Sequence, residues 1–116
     1  MRKKVRVYQT AAGRIPVTEF LDSLSDEARG RVEADIDFLE SEPGMGIGKP
    51  TYKHLHGPIW EIRTPTREGA IRILFAVDGN TALLLSGLKK KRRKLDPGDL
   101  ELAGRRFEDY LQRRVL

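Results

Sequence analysis

Apolar and polar residues alternate in the opening stretch Lys4-Val5-Arg6-Val7-Tyr8, a period of two that predicts a short strand. The pattern then changes to helical spacing. Pro16 suits a first helical turn, where its missing N–H leaves nothing unpaired, and Val17, Phe20, Leu21 and Leu24 fall on one side of a helix from Pro16 to Leu24. Ser25 is a good N-cap for a second helix running to about Glu42, in which Ala28, Val32, Ile36 and Leu39 recur along one stripe. Asp35 falls within the same arc. Pro43-Gly44-Met45-Gly46 breaks that helix, and the stretch from there to Pro58 reads as a loop.

Three strands are expected next, at about Ile59–Thr64, Ala70–Val77 and Thr81–Leu88. Asp78-Gly79-Asn80 marks a hairpin between the last two, because these residues tolerate positive φ. A final helix is well marked. Asp96 caps it, Pro97 takes its first position, and Leu100, Ala103, Phe107 and Leu111 form the apolar stripe, with Tyr110 on the stripe's rim. The order β-α-α-β-β-β-α describes one α+β domain over residues 1–116 with an antiparallel meander packed against helices.

Strand parity places the charges. Trp60 and Ile62 share a face opposite Glu61 and Arg63, while Ile71, Ile73, Phe75 and Val77 share a face opposite Arg72, Leu74 and Ala76. If both apolar sets face the core, Arg63 and Arg72 emerge together on the other side, since a slip of one residue would bury an arginine. Directly opposed residues stand roughly 5 Å apart at Cβ, so the two guanidiniums would repel unless an anion or an acid such as Glu61 lies between them. On the plainer alternative, Arg63 pairs with Glu61 on a solvated face.

Charge adds a second feature. The chain of 116 residues carries a formal charge of +5, a balance that attracts polyanions. Six basic residues in a row, Lys89-Lys90-Lys91-Arg92-Arg93-Lys94, lead from the last strand into the last helix. Such a run can be a solvated loop. Held between two ordered elements beside a sheet bearing arginines, it fits a phosphodiester backbone. Lys49, Lys53, His54 and His56 add basic and titratable groups just before the meander. A histidine near neutrality, or a lysine depressed by neighbouring positive charge, can take a proton from a ribose 2′-hydroxyl. A loop histidine is otherwise a surface residue or a turn hydrogen-bonder.

Absences narrow the chemistry. Without cysteine there are no disulfides, thiolate metal sites or cysteine nucleophiles. No His/Asp/Glu grouping has metal-ligand spacing, and neither a Gly-x-x-x-x-Gly-Lys loop nor a Gly-x-Ser-x-Gly elbow is present. Metal-independent, cofactor-free chemistry is expected. The absence of a long apolar run or a signal-peptide pattern suggests a cytoplasmic protein with no membrane partner.

Three segments resemble a known family: Leu55-His56-Gly57-Pro58-Ile59-Trp60-Glu61-Ile62-Arg63, Ile71-Arg72-Ile73-Leu74-Phe75, and Leu83-Leu84-Leu85-Ser86-Gly87-Leu88 followed by Lys90, Lys91 and Lys94. Together with Asp96-Pro97 and Leu100-Glu101-Leu102-Ala103, they are similar to phage-derived HigB-type toxins of the RelE/ParE superfamily. The resemblance implies a RelE-like toxin that cleaves mRNA on the ribosome and is neutralised by a helix-turn-helix antitoxin encoded by the adjacent gene. It implies that Arg63 and Arg72 hold the scissile phosphate. The basic residues Lys49, Lys89, Lys90, Lys91, Arg92, Arg93 and Lys94 would bind RNA. Relatives often carry His and Phe where this chain has Ser86 and Leu88, so proton transfer falls to His54, Lys53 or a lysine of the run. Two other functions fit the same resemblance: a ParE-like gyrase inhibitor, and a catalytically degenerate RNA-binding module.

Overall fold

A computed structural model of the protein describes residues 3–40, 51–90 and 95–114. Strand β1 (Lys4–Val7) is followed by helices α1 (Pro16–Asp22) and α2 (Asp26–Phe38). Strands β2 (Thr51–His56), β3 (Ile59–Thr66), β4 (Gly69–Asp78) and β5 (Thr81–Lys90) come next, and helix α3 (Pro97–Arg114) ends the chain. The architecture is α+β, with one strand more than expected. Residues 51–56, read from the sequence as loop, are β2. They pair antiparallel with β3 around a Gly57-Pro58 turn in which Gly57 takes φ +53°. That conformation favours glycine, which has no Cβ to clash.

The sheet runs β1-β5-β4-β3-β2, antiparallel from β2 to β5, with β1 added parallel at the β5 edge. α1 is shorter than expected, ending at Asp22, and Ser23 and Leu24 close a turn onto Phe20 and Leu21. Ser25 caps α2 as expected, its hydroxyl accepting from the Ala28 N–H, and α2 ends at Phe38. The expected terminus at Glu42 lies outside the described residues, as do Lys49, Lys91, Arg92, Arg93 and Lys94.

Both faces of the sheet are covered. On one, α1 and α2 bury Val17, Leu21, Ala28, Val32 and Ile36 against Ile62, Ile71, Ile73, Phe75 and Leu84. Each of the valine, leucine, isoleucine and phenylalanine side chains among them contributes ~1.5–3 kcal/mol by leaving water. Asp35 enters this stripe because it accepts a hydrogen bond of 2.6 Å from the buried Thr64 hydroxyl. On the other face α3 lays Ala103 and Phe107 over Ile59, Leu74, Ala76, Leu83 and Leu85, with Tyr110 at the rim. The sequence expectation left this second face to solvent. Leu74 and Ala76 required a cover, and the α3 stripe supplies it.

β5 changes phase once. Phe75 stands opposite Leu84 but Leu74 stands opposite Ser86, so Leu85 is an extra residue. Such a bulge swaps the side to which later residues point. Gly87 therefore faces α1, where an added Cβ would sit 2.2 Å from the Phe20 ring, and Leu88 stands opposite Arg72.

Candidate nucleic-acid interface

Arg63 and Arg72 share one face, as strand parity predicts, and are directly opposed in the β3–β4 ladder. Their environments differ. Arg63 is exposed, and beside Pro65, Thr66, Gly69 and Ala70 it lines an open depression of about 400 Å³. Arg72 is only 2% exposed. The expectation that both arginines emerge into solvent is corrected: the face they share is the one α3 covers, and Arg72 lies within the covered part. Its Nε stands 3.4 Å from the Glu61 carboxylate, which is also buried. Two opposed guanidiniums are tolerable because Glu61, on the same face, offsets one charge. Arg63 makes no ion pair among the described residues.

Lys53 is opposite Glu61 in the β2–β3 ladder, exposed and on the arginine face. His54, the next residue, is on the other face. Its ring packs against Trp60 at 5.1 Å between centroids, and its Nε2–H donates to the Gly57 carbonyl at 2.7 Å. β2 therefore separates the two candidate proton acceptors, bringing Lys53 and not His54 to the arginines. The bulge after His54 returns His56 to the α3 face, beside Pro97, Leu100 and Arg105.

The basic run begins inside β5. Lys89 lies opposite Ile71 and points toward α2, where its ammonium bonds Glu68 at 3.0 Å. Glu68 also accepts from the Ser25 N–H at the start of α2, and the Ser25 hydroxyl, Lys89 and that N–H, in this order of weight, hold its carboxyl down at about 2. Lys89 is thus engaged in an ion pair on the face opposite Arg63. Lys90 stands opposite Ala70 in the ladder.

One residue with no part in the sequence reading is prominent. Arg106, from α3, donates through Nη1 to the Leu85 carbonyl at 2.8 Å and the Ser86 hydroxyl at 2.9 Å, clamping the bulge. Its guanidinium also lies over the Tyr8 ring, 5.9 Å from the centroid. Burial lowers its pKa from the usual arginine value. The only sequence signal was a basic residue flanking the α3 stripe, which many exposed helix positions share.

Nearby, the Tyr8 hydroxyl donates to Asp109 at 2.7 Å, and Arg113 bonds the same carboxylate. The Tyr8 and Arg113 hydrogen bonds lower the Asp109 pKa, and burial raises that of Tyr8. This network fastens α3 to the end of β1 and carries no open group. Among the described residues no cluster of His, Cys, Asp and Glu could hold a metal ion, and no helix is long and apolar enough to cross a membrane.

The arrangement offers an exposed arginine backed by a buried ion pair, with a lysine on the same face, which suits a phosphate oxygen. A search of curated proteins gives no match. A family does match over residues 19–108, described as phage derived protein Gp49-like (DUF891). The matched span takes in α2, all four antiparallel strands and most of α3, so the chain belongs to the Gp49-like family of phage-derived proteins.

Proposed function

We propose that the protein is the HigB-like toxin of a toxin–antitoxin pair and that it cleaves mRNA engaged on the ribosome. The family is consistent with a toxin of such a pair. The observation that carries the nuclease reading is Arg63, exposed and unpaired among the described residues, opposite a buried Arg72–Glu61 pair.

In this reading the 2′-oxygen attacks the adjacent phosphorus, the 5′-oxygen leaves and takes up a proton from water, and a 2′,3′-cyclic phosphate forms. Arg63 donates to the phosphate oxygens as negative charge builds on them, an interaction that strengthens in the transition state. Its planar fork can grip two oxygens where an ammonium cannot. Lys53, on the same face, or a lysine of the basic run takes the 2′-hydroxyl proton. Arg72, its charge offset by Glu61, supports Arg63 from the facing strand. The ribosome aligns the 2′-oxygen with the phosphate, leaving charge and proton transfer to the protein. The partner is a helix-turn-helix antitoxin encoded by the adjacent gene, and the site of action is the cytoplasm.

Brief expression without the antitoxin, with mapping of mRNA ends, tests the reading. Growth arrest is expected, with cuts carrying 2′,3′-cyclic or 3′-phosphate ends, and co-expression of the neighbouring gene should restore growth. Intact ribosome-bound mRNA at saturating protein would sink it. DNA breaks with an SOS response would instead identify gyrase as the target.

A further inference from the structure

A cleft of about 420 Å³ opens at the β5 edge between α1 and α3, away from the depression lined by Arg63. Its volume lies within the range of small-ligand sites, roughly 300–1,000 Å³. The floor is Ser86, Gly87 and Leu88. Among the described residues β1 pairs only with Thr81 to Leu84, so this half of β5 has no strand partner on the cleft side. Backbone donors and acceptors at such an edge are open to pairing.

Arg106 stands in the wall. Its two bonds to Leu85 and Ser86 both use Nη1 and fix the guanidinium plane. Nε and Nη2 have no protein acceptor among the described residues. A half-buried arginine with a locked plane and a free pair of donors is prepared for a ligand presenting two adjacent acceptors. Phosphate is one such ligand, but Glu19 and Asp99 share the cleft with Arg14, whose guanidinium is already bonded to Glu19. The lining therefore holds no surplus positive charge to overcome the resistance of its carboxylates to an anion. A neutral planar heterocycle avoids that repulsion, and its own N–H groups would be favoured there. Guanine meets both demands: O6 and N7 form the edge that arginine reads bidentately, and its remaining edge donates.

The cleft adjoins the arginine row. Leu88 lies on its floor and directly opposite Arg72, which in turn opposes Arg63. Two strand spacings, roughly 10 Å, therefore separate the cleft floor from Arg63. Single-stranded RNA can splay a base into such a cleft while its backbone continues past. Resting on the nuclease reading above, we infer that this cleft is a base-reading subsite, in which Arg106 selects a guanine flanking the phosphate held at Arg63.

The test separates binding from cleavage. Guanosine 5′-monophosphate, titrated into the full chain and followed by NMR, should shift the amides of Ser86, Gly87 and Leu88 more than adenosine or cytidine 5′-monophosphate does. Arg106→Lys keeps the charge but loses the fork, and should cost guanosine monophosphate ~10-fold or more in affinity, within the discrimination expected of a bidentate pair. Leu102→Trp, which fills the cleft without touching the Arg106 bonds, should do the same in a variant whose fold is checked by circular dichroism. In mRNA maps, both variants should lose a guanine bias beside the cut. Equal shifts with all three nucleotides, no shifts, or an unchanged cut map in both variants would overturn the inference. If the wild-type chain binds guanosine monophosphate in the cleft yet cuts no mRNA, the nuclease reading falls and the base site stands.

Discussion

The two faces of the sheet are built by the same strands, and they bury different things. Under α1 and α2 the sheet presents Ile62, Ile71, Ile73, Phe75, Ala82 and Leu84, and the buried polar group there, Thr64, is satisfied by Asp35. Under α3 it presents Ile59, Leu74, Ala76, Leu83 and Leu85, but also the buried Glu61, Arg72 and Ser86. Desolvating an ion pair is expensive, and well-packed apolar residues of similar volume often serve stability as well or better. The first face therefore has the character of a core. The second gives up some of that advantage beside the exposed Arg63, as a site would.

The sharpest way to break this comparison is to remove half of the buried pair. Arg72→Ala leaves the Glu61 carboxylate without its ion-pair partner in a site nearly closed to water, and should destabilise by ~3–5 kcal/mol. The double change Arg72→Met with Glu61→Leu should recover most of that loss in urea denaturation while leaving mRNA uncut. A double variant that is both stable and active would show that the pair serves neither role.

Arg63→Ala should separate function from fold in the opposite sense. The side chain is exposed and has no ion pair to lose among the described residues, so stability should change by less than ~1 kcal/mol. Cleavage should fall by ~10²-fold or more, the loss typical of one charge-stabilising donor. Arg63→Lys should recover little of it. Wild-type cleavage by a folded Arg63→Ala protein would end the assignment.

These contrasts mark what the sequence could and could not reveal. Period-two parity alone put Arg63 and Arg72 on one face, and the helical stripes of α2 and α3 named their buried residues correctly. Parity cannot say whether a face is open, however. The α3 stripe was legible, but the surface it covers depends on tertiary packing, so the burial of Arg72 was missed. β2 escaped because Lys53, His54 and His56 are polar on both sides, as an edge strand permits, and they follow a glycine-rich segment that reads as loop. The bulge at Leu85 leaves no trace in Leu83-Leu84-Leu85, a run apolar in either phase. Lys89 reads as RNA-binding only as the first of the basic run, and a charge run carries no information on facing; in the folded chain it bonds Glu68 on the α2 side.

A smaller effect tests that phase directly. Gly87→Ala would bring its Cβ to 2.2 Å from the Phe20 ring, and the ring, packed at the edge of the α1–α2 core, must shift to admit it. Overpacking of this kind costs ~1–3 kcal/mol. Phe20→Leu in the same chain should return part of the loss, measured as a shift in urea midpoint at constant slope. If Gly87 instead faced α3, Gly87→Ala would be indifferent to the residue at position 20.

The smallest expected effect concerns pH. The Ser25 hydroxyl, Lys89 and the Ser25 N–H, in this order of weight, hold the folded Glu68 carboxyl at about 2, well below the ordinary glutamate value of roughly 4.3. A carboxyl depressed on folding stabilises the native state above its unfolded pKa, and that contribution disappears as pH falls through the folded one. It should therefore be intact at neutral pH and decline between roughly pH 4.3 and about 2. Glu68→Gln keeps an acceptor for Ser25 but cannot titrate, so the thermal midpoint of this variant should fall less steeply over that interval than that of the wild-type chain. The group is partly open to solvent, so salt should narrow the difference between the two. Because Lys89 is already occupied by this bond, Lys89→Ala should alter the acid limb in the same way and weaken RNA binding less than Lys53→Ala does. If Lys89→Ala instead lowers RNA affinity as much as Lys53→Ala, Lys89 must leave Glu68 to reach the RNA, and the division of labour between the two faces fails at that residue.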